Sequence, residues 1–92
     1  MNHLHYQFDA GPDEVVEVTL DHQANVLLMD DSNYNNYRHS RSFRYYGGHA
    51  TRSPVRLVPP RQARWNIVVD LGGGTGRVKA GVRVLSEELA RN

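Results

Sequence analysis

Hydrophobic and polar residues alternate along four separate segments, and this period of two constrains the fold more than any other feature of the chain. The segments are residues 4–8, 16–20, 65–71 and 78–84. Side chains on a β-strand point alternately to opposite faces, so each segment is expected to bury one face and expose the other. That pattern is typical of antiparallel sheets.

Two further segments, residues 24–29 and 53–58, are weaker strand candidates because their alternation is incomplete. Pro54 lacks an amide hydrogen, so it should start its strand or lie on a sheet edge. Gly, Pro and Asp break the pattern between these segments, as expected for turns. The predicted turns are at residues 10–13, 21–23, 47–48 and 59–60.

The sequence therefore predicts an all-β fold, an antiparallel two-sheet sandwich that is jelly-roll-like, with about seven or eight strands. A long central loop or a short helical turn interrupts the strands. A second short helical period, at residues 86–90, is terminal and expected to fray. The residues expected in the core are Val16, Val18, Leu57, Trp65, Ile67, Val69 and Val82.

A chain of 92 residues is expected to form one domain, residues 1–92, with its core at about 3–85 and a short tail at 86–92. Cysteine is absent, which excludes disulfides, thiolate metal ligands and a thiolate nucleophile. The N-terminus lacks the pattern of a signal peptide, and no apolar run approaches the roughly 18 residues of a membrane span. We therefore expect a cytoplasmic protein with no membrane partner.

Charge is segregated along the chain. Residues 1–31 contain seven acids and no Lys or Arg, whereas residues 32–69 contain seven Arg and no acid. Such asymmetry is compatible with a charged partner surface. The stronger interpretation is that the two halves pair across neighbouring strands, where facing opposite charges are mildly favourable.

The segment VVDLGGGTG, residues 68–76, is similar over six residues to the phosphate loop of the actin and heat-shock ATPase families. A phosphate-binding loop of the P-loop or dinucleotide type would need a particular spacing or a helix after the glycines. Residues 78–84 alternate as a strand instead. Since glycine adopts positive φ without strain, we interpret the run as a hairpin turn.

The central segment, residues 30–49, is rich in Asn, Ser, Tyr and Arg and has no strand-like alternation. Loops of this length are uncommon in compact domains and are often functional. The segment Asp30-Asp31-Ser32-Asn33 is suited to cap a single helical turn through Asn36 or Tyr37. Arg44–Tyr46 is expected to form a short strand that ends at the glycine pair.

Five motifs stand out as an ordered set, at residues 16–19, 28–38, 45–48, 53–54 and 65–73. Together they resemble a bacterial family known as domain of unknown function 1883, and the resemblance covers residues 3–85. It implies an all-β sandwich found in small stand-alone proteins or N-terminal to TIR domains. It implies no established activity, cofactor or catalytic residue.

The central segment is the best candidate site because it combines planar aromatic rings with directional hydrogen-bonding groups. The candidate ligand-binding residues are Asn33, Tyr34, Asn36, Tyr37, Arg38, Arg44, Tyr45 and Tyr46. The competing interpretation is structural: the tyrosines close the open end of the sandwich, and the Asn side chains hold a long loop.

The favoured function is a non-catalytic recognition or adaptor module for a small polar ligand or a protein partner. We expect no catalytic residue, bound metal or cofactor. One alternative is a single-stranded nucleic-acid-binding module, which needs the seven mid-chain arginines on one face. A further alternative is a small metal-dependent hydrolase, which needs His3, His5 and a third ligand to converge. Exposed edge strands also make a homodimer plausible.

Overall fold

The computed structural model describes residues 3–72, 74 and 76–86, which form seven β-strands and one α-helix. The elements are β1 (Leu4–Ala10), β2 (Glu14–Leu20), β3 (Ala24–Asp30), α1 (Asp31–Arg38), β4 (Tyr46–Ala50), β5 (Val55–Leu57), β6 (Ala63–Asp70) and β7 (Ala80–Ser86). No helix in this described part of the chain is long and apolar enough to cross a membrane.

The strands form two antiparallel sheets, which confirms the predicted sandwich. One sheet has four strands in the order β1-β6-β3-β4, and the other has three in the order β5-β2-β7. The alternating segments supply β1, β2, β6 and β7. The two weaker candidates supply β3 and β5, the latter beginning just after Pro54, where the missing amide hydrogen removes no ladder hydrogen bond.

The core lies between the two sheets and is built from alternate residues of facing strands. Of the predicted core residues, Val16, Val18, Trp65, Ile67 and Val69 are buried, and Leu57 and Val82 pack against them while remaining partly exposed. The last two lie on β5 and β7, the edge strands of the three-stranded sheet. Because an edge strand lacks a neighbour on one side, its side chains retain some contact with water.

Strand β3 is buried on both faces, which explains its weak alternation in the sequence. Val26 and Leu28 face the inter-sheet core, while Leu27 and Met29 join Val68 in a second apolar cluster on the outer face of the four-stranded sheet. Helix α1 covers that second cluster. A strand covered on both faces has a continuous apolar run rather than a period of two.

The tight turn predicted at Gly47–Gly48 is wrong, because both glycines lie within β4, opposite Leu27 and Val26 of β3. Their φ angles are 109° and 148°, in the region that L-amino acids with side chains avoid. A Cβ on Gly47 would overlap the carbonyl oxygen of Val26. Glycine here allows close backbone approach within the sheet rather than a reversal of the chain.

The hairpin predicted at the glycine run is also wrong. Strand β6 lies between β1 and β3, whereas β7 pairs with β2 in the other sheet, so the segment crosses between sheets. The chain does turn here, with the Gly74 amide donating to the Leu71 carbonyl at 3.1 Å. Local turn chemistry shows that the chain bends, but not which sheet it enters next.

The phosphate-loop alternative needs a helix after the glycines, and none begins within the described residues 76–86. Residues 77–79 are neither helix nor strand, and β7 starts at Ala80, two residues later than the alternation predicts. Gly73 and Thr75 lie outside the described residues, as do residues 87–90 of the terminal helical period.

We expect Gly47→Ala to destabilise the fold more than Gly48→Ala. Both substitutions place a side chain at positive φ, which costs about 1–3 kcal/mol. Only the Gly47 variant also meets the Val26 carbonyl, whereas a Cβ on Gly48 has no atom within 4 Å. Denaturant unfolding of the two variants checks this, and equal losses would contradict the close approach of β4 to β3.

Candidate functional site

Helix α1 begins where the sequence predicts but is longer than a single turn. Its N-cap is Asp30, whose Oδ1 accepts hydrogen bonds from the Asn33 amide at 2.9 Å and the Asn33 side chain at 2.8 Å. A carboxylate at this position satisfies amides that have no partner inside the helix. The helix ends at Arg38, and Ser40 follows with a φ of 57°, a left-handed conformation that stops helical continuation.

The helix lies across the outer face of the four-stranded sheet. Tyr34, Tyr37 and Phe43 pack on the second apolar cluster, formed by Leu27, Met29 and Val68. No residue of α1 itself is fully buried. A helix of eight residues is marginal in isolation, so this contact with the sheet is what stabilises it.

Tyr34 packs against β1 as well as the sheet. Its ring stacks on His5 with centroids 3.9 Å apart, and its hydroxyl lies 3.1 Å from Nε2 of His3. The Arg38 guanidinium lies 5.8 Å from the centre of the same ring. The histidine-bearing face of β1 is therefore partly covered by α1, whereas its alternation predicts a solvated face.

Tyr37 connects the helix to the end of β6. Its hydroxyl donates to Oδ2 of Asp70 at 2.7 Å, while Oδ1 of Asp70 accepts from Asn25 at 2.8 Å and from the Gly72 amide at 2.9 Å. The Asn25 oxygen lies 3.3 Å from Nδ1 of His49, so the network extends across β3 to β4. Asp70 is 5% exposed, and each of its oxygens has a donor.

Burial and hydrogen bonding set the ionisation of this pair. Burial opposes the charged form of Asp70, but the hydrogen bonds from Tyr37, Asn25 and Gly72 outweigh it and hold the pKa of the carboxyl below its usual value. Burial, followed by the hydrogen bond to Asp70, raises the pKa of the Tyr37 phenol well above its usual value. At neutral pH the pair is a neutral phenol donating to a carboxylate.

A concavity of about 570 Å³ lies beside this pair, between the C-terminal end of α1 and β4. Its aromatic wall consists of Tyr37, Phe43 and Tyr45. The Tyr37 and Phe43 rings are 5.2 Å apart and nearly perpendicular, and the Phe43 and Tyr45 rings are 5.7 Å apart and tilted by 41°. The remaining lining residues are Asn25, Leu27, Ser40, Gly48, His49, Asp70 and Gly72.

A second concavity, of about 380 Å³, adjoins the first at His49. The glycine run forms part of it through Gly74, Gly76 and Arg77. The glycine run and the aromatic segment, which are far apart in the sequence, thus reach the same end of the molecule.

The eight predicted ligand-binding residues are divided among different roles. Tyr37 and Tyr45 line the concavity, and Tyr34 packs under Arg38. Asn33 holds the loop, because its Oδ1 accepts from the Arg44 amide at 2.7 Å. The Asn36 carbonyl accepts from the Arg41 amide at 2.9 Å and secures the turn after α1.

Tyr46 lies away from the concavity, with its ring 6.2 Å from that of Trp65. The lining residues that are absent from the predicted set include Asn25, Phe43, His49 and Asp70. Asp70 carries a signal in the sequence, since it ends a strong strand pattern immediately before the glycine run. Asn25 is a polar residue inside an apolar segment, which is a weaker signal of the same kind.

Acids of the N-terminal segment pair with arginines of the middle segment, and one of these pairs, Glu17–Arg56, joins neighbouring strands as predicted. Glu17 of β2 pairs with Arg56 of β5 at 3.1 Å and with Arg83 of β7. Asp30 and Asp31 pair with Arg61 at 2.8 Å and Arg64 at 2.7 Å. Three of the seven mid-chain arginines therefore neutralise acids of the N-terminal segment, and Arg56 lies on the sheet opposite α1.

Among residues 3–72, 74 and 76–86, no three His, Cys, Asp or Glu side chains lie close enough to hold a metal ion. His3 and His5 have ring centroids 6.5 Å apart, but both rings contact Tyr34. The third ligand that a zinc site needs does not reach them within this part of the chain.

Comparison with known families gives one match. A family model described as Domain of unknown function (DUF1883) matches residues 1–88, so the chain belongs to that family. No curated protein and no solved structure shows significant similarity to the chain.

We expect Tyr37→Phe to lower the free energy of unfolding at pH 7 by about 1.5–3 kcal/mol, the usual contribution of a hydrogen bond to a charged group. Tyr34→Phe is the matched control, because its hydroxyl contacts an imidazole instead of a carboxylate. Chemical denaturation of both variants checks this. A larger loss in the Tyr34 variant would contradict the importance of the Tyr37–Asp70 hydrogen bond.

We further expect the loss in Tyr37→Phe to depend on pH. Folding raises the pKa of Tyr37 above its unfolded value of about 10, so the folded state favours the protonated phenol. This contribution to stability is fully present below about pH 10 and is lost as the pH rises toward the folded-state pKa. The gap between wild type and variant should therefore narrow above about pH 10, and a constant gap there would contradict the raised pKa.

Proposed function

We propose that this DUF1883 domain is a non-catalytic recognition module that binds a small polar ligand in the concavity beside Asp70. The observation that carries the proposal is an ionised carboxylate, 5% exposed, that lines a concavity together with three aromatic rings. Ligand sites are typically concave, largely apolar, and oriented by a few polar groups. A ligand borne on the surface of a partner protein would use the same groups.

The hydrogen-bonding pattern around Asp70 favours binding over catalysis. A general acid or base needs a pKa near the working pH and a proton within reach of the substrate. Asp70 has a lowered pKa, Tyr37 has a raised one, and they are bonded to each other. Both groups therefore keep their protonation state at neutral pH, which suits a fixed binding surface.

The elements around the concavity also support a preformed site. Tyr37 is fixed by Asp70, and the loop after α1 is fixed by Asn33 and Asn36. Side chains that are already ordered lose little conformational freedom on binding, which favours affinity. Tyr45 is 48% exposed and forms the outer rim, where a ligand would make its first contact.

A single-stranded nucleic-acid module is supported less well. Its arginines would need to form one continuous basic face. Arg56 lies on the opposite sheet and pairs with Glu17, while Arg61 and Arg64 pair with Asp30 and Asp31. Oligonucleotide binding that weakens steeply with salt would nevertheless favour this function over the one proposed.

The proposal is tested by screening small sugars, amines, amino acids and nucleotides against ¹⁵N-labelled protein. We expect at least one compound to shift the backbone resonances of Phe43, Tyr45, His49 and Gly72 selectively. We expect Tyr45→Ala to weaken that binding about tenfold or more, which corresponds to about 1.4 kcal/mol.

Tyr46→Ala is the matched control, because Tyr46 is 50% exposed and adjacent in sequence but lies outside the concavity. Binding in this variant should be unchanged. The proposal fails if no compound shifts these resonances, or if the two variants weaken binding equally.

A further inference from the structure

The aromatic wall and Asp70 together define the chemical class of the ligand. We propose that the concavity recognises a fully alkylated ammonium group, which sits against Tyr37, Phe43 and Tyr45 near the Asp70 carboxylate. This inference rests on the proposed function, since it specifies the ligand of the same site.

The geometry of the rings is the first argument. A flat sugar ring is best matched by a flat aromatic platform, whereas Tyr37 and Phe43 meet at 88° and Phe43 and Tyr45 at 41°. All three residues line the same concavity, and the Tyr37 ring also has His3 and Tyr34 as ring neighbours. Cations bind the negative faces of aromatic rings within about 6 Å of the centroid, and alkylated ammonium groups are recognised in this way.

The charge of the lining is the second argument. Among the described residues, the lining contains the Asp70 carboxylate and the His49 imidazole but no Lys or Arg. The hydrogen bonds that Asp70 accepts keep its pKa low, so the carboxylate is negatively charged at neutral pH. Because the Asp70 carboxylate is little exposed to water, its charge is weakly screened. The charge therefore favours a cation in the concavity that Asp70 lines.

The hydrogen bonds of Asp70 separate alkylated from primary ammonium groups. Its Oδ1 accepts from Asn25 and Gly72, and its Oδ2 accepts from Tyr37, so three of the roughly four acceptor positions of the carboxylate are filled. A primary ammonium has three N–H donors that need acceptors. A trimethylammonium group has no donor and requires only charge and apolar contact, which this surface supplies.

The test compares choline with 3,3-dimethylbutan-1-ol, which has the same shape but no charge, by titration of ¹⁵N-labelled protein. We expect choline to bind at least about tenfold tighter, the ratio that corresponds to one good cation–π contact. A short peptide carrying trimethyllysine forms a second arm. Tighter binding of the peptide than of choline would identify the source of the ammonium group as a partner protein.

Phe43→Leu is the informative variant, because it removes the π-face while keeping apolar volume on the second cluster. It should reduce the preference for choline over the neutral alcohol at least about threefold, because the Asp70 charge and the other two rings remain, whereas Tyr46→Leu should leave that preference unchanged. Asp70→Asn removes the charge with little change in shape and should lower choline affinity about tenfold or more. The NMR spectrum of the Asp70→Asn protein establishes whether that variant is folded. The Phe43→Leu variant tests the inference independently of the Asp70→Asn variant.

Equal binding of choline and the neutral alcohol would overturn the inference. The concavity would then be a site for apolar ligands, without a preference for positive charge. Binding of another compound in the absence of any ammonium binding would also overturn it, while the proposed function stands. If no compound from either experiment binds at the concavity, both the inference and the proposed function fail.

Discussion

The hydrogen bond between the Tyr37 hydroxyl and the Asp70 carboxylate is the contact on which the arrangement of the candidate site depends. Helix α1 has only eight residues and no fully buried one, so its position is determined by what it contacts on the sheet. Apolar packing on Leu27, Met29 and Val68 holds the helix against the sheet but does not fix its orientation there. The hydrogen bond from Tyr37 fixes where the C-terminal end of the helix lies, and hence where the concavity opens.

A second set of polar contacts fixes the other end of the same helix. Asp31, in its first turn, accepts from Asn66 at 2.8 Å and from Arg64 at 2.7 Å, and both partners are on β6. The Asp31 side chain thus connects the start of α1 to the same strand that provides Asp70. Three of the seven mid-chain arginines pair with acids of the N-terminal segment, so part of the segregated charge contributes to the fold. The concavity proposed as the ligand site is lined by aromatic rings and a carboxylate and, among the described residues, by no arginine.

The period of two predicted the strands that have one face on the core, which is why the sandwich could be predicted from the sequence. The period of two is least clear in β3. Because α1 covers the outer face of that strand, both of its faces carry apolar residues. The predictions of a tight turn at Gly47–Gly48 and of a hairpin at the glycine run are wrong for a common reason. A glycine indicates that the backbone adopts an unusual conformation or approaches another strand closely. It does not indicate which strand, because that strand is distant in sequence. The central segment was identified by composition, whereas Asp70 lies 33 residues from Tyr37, and no local pattern connects the two.

The most direct measurement of the central claim is a double-mutant cycle between Tyr37→Phe and Asp70→Asn, followed by denaturant unfolding. Contacting residues in one hydrogen-bonded network typically couple by about 0.5–3 kcal/mol. We expect a coupling free energy of at least about 1 kcal/mol, because Tyr37→Phe removes the hydrogen bond and Asp70→Asn removes the charge that strengthens it. Losses that add to within about 0.3–0.5 kcal/mol, as for independent sites, would contradict the claim that this pair positions the helix.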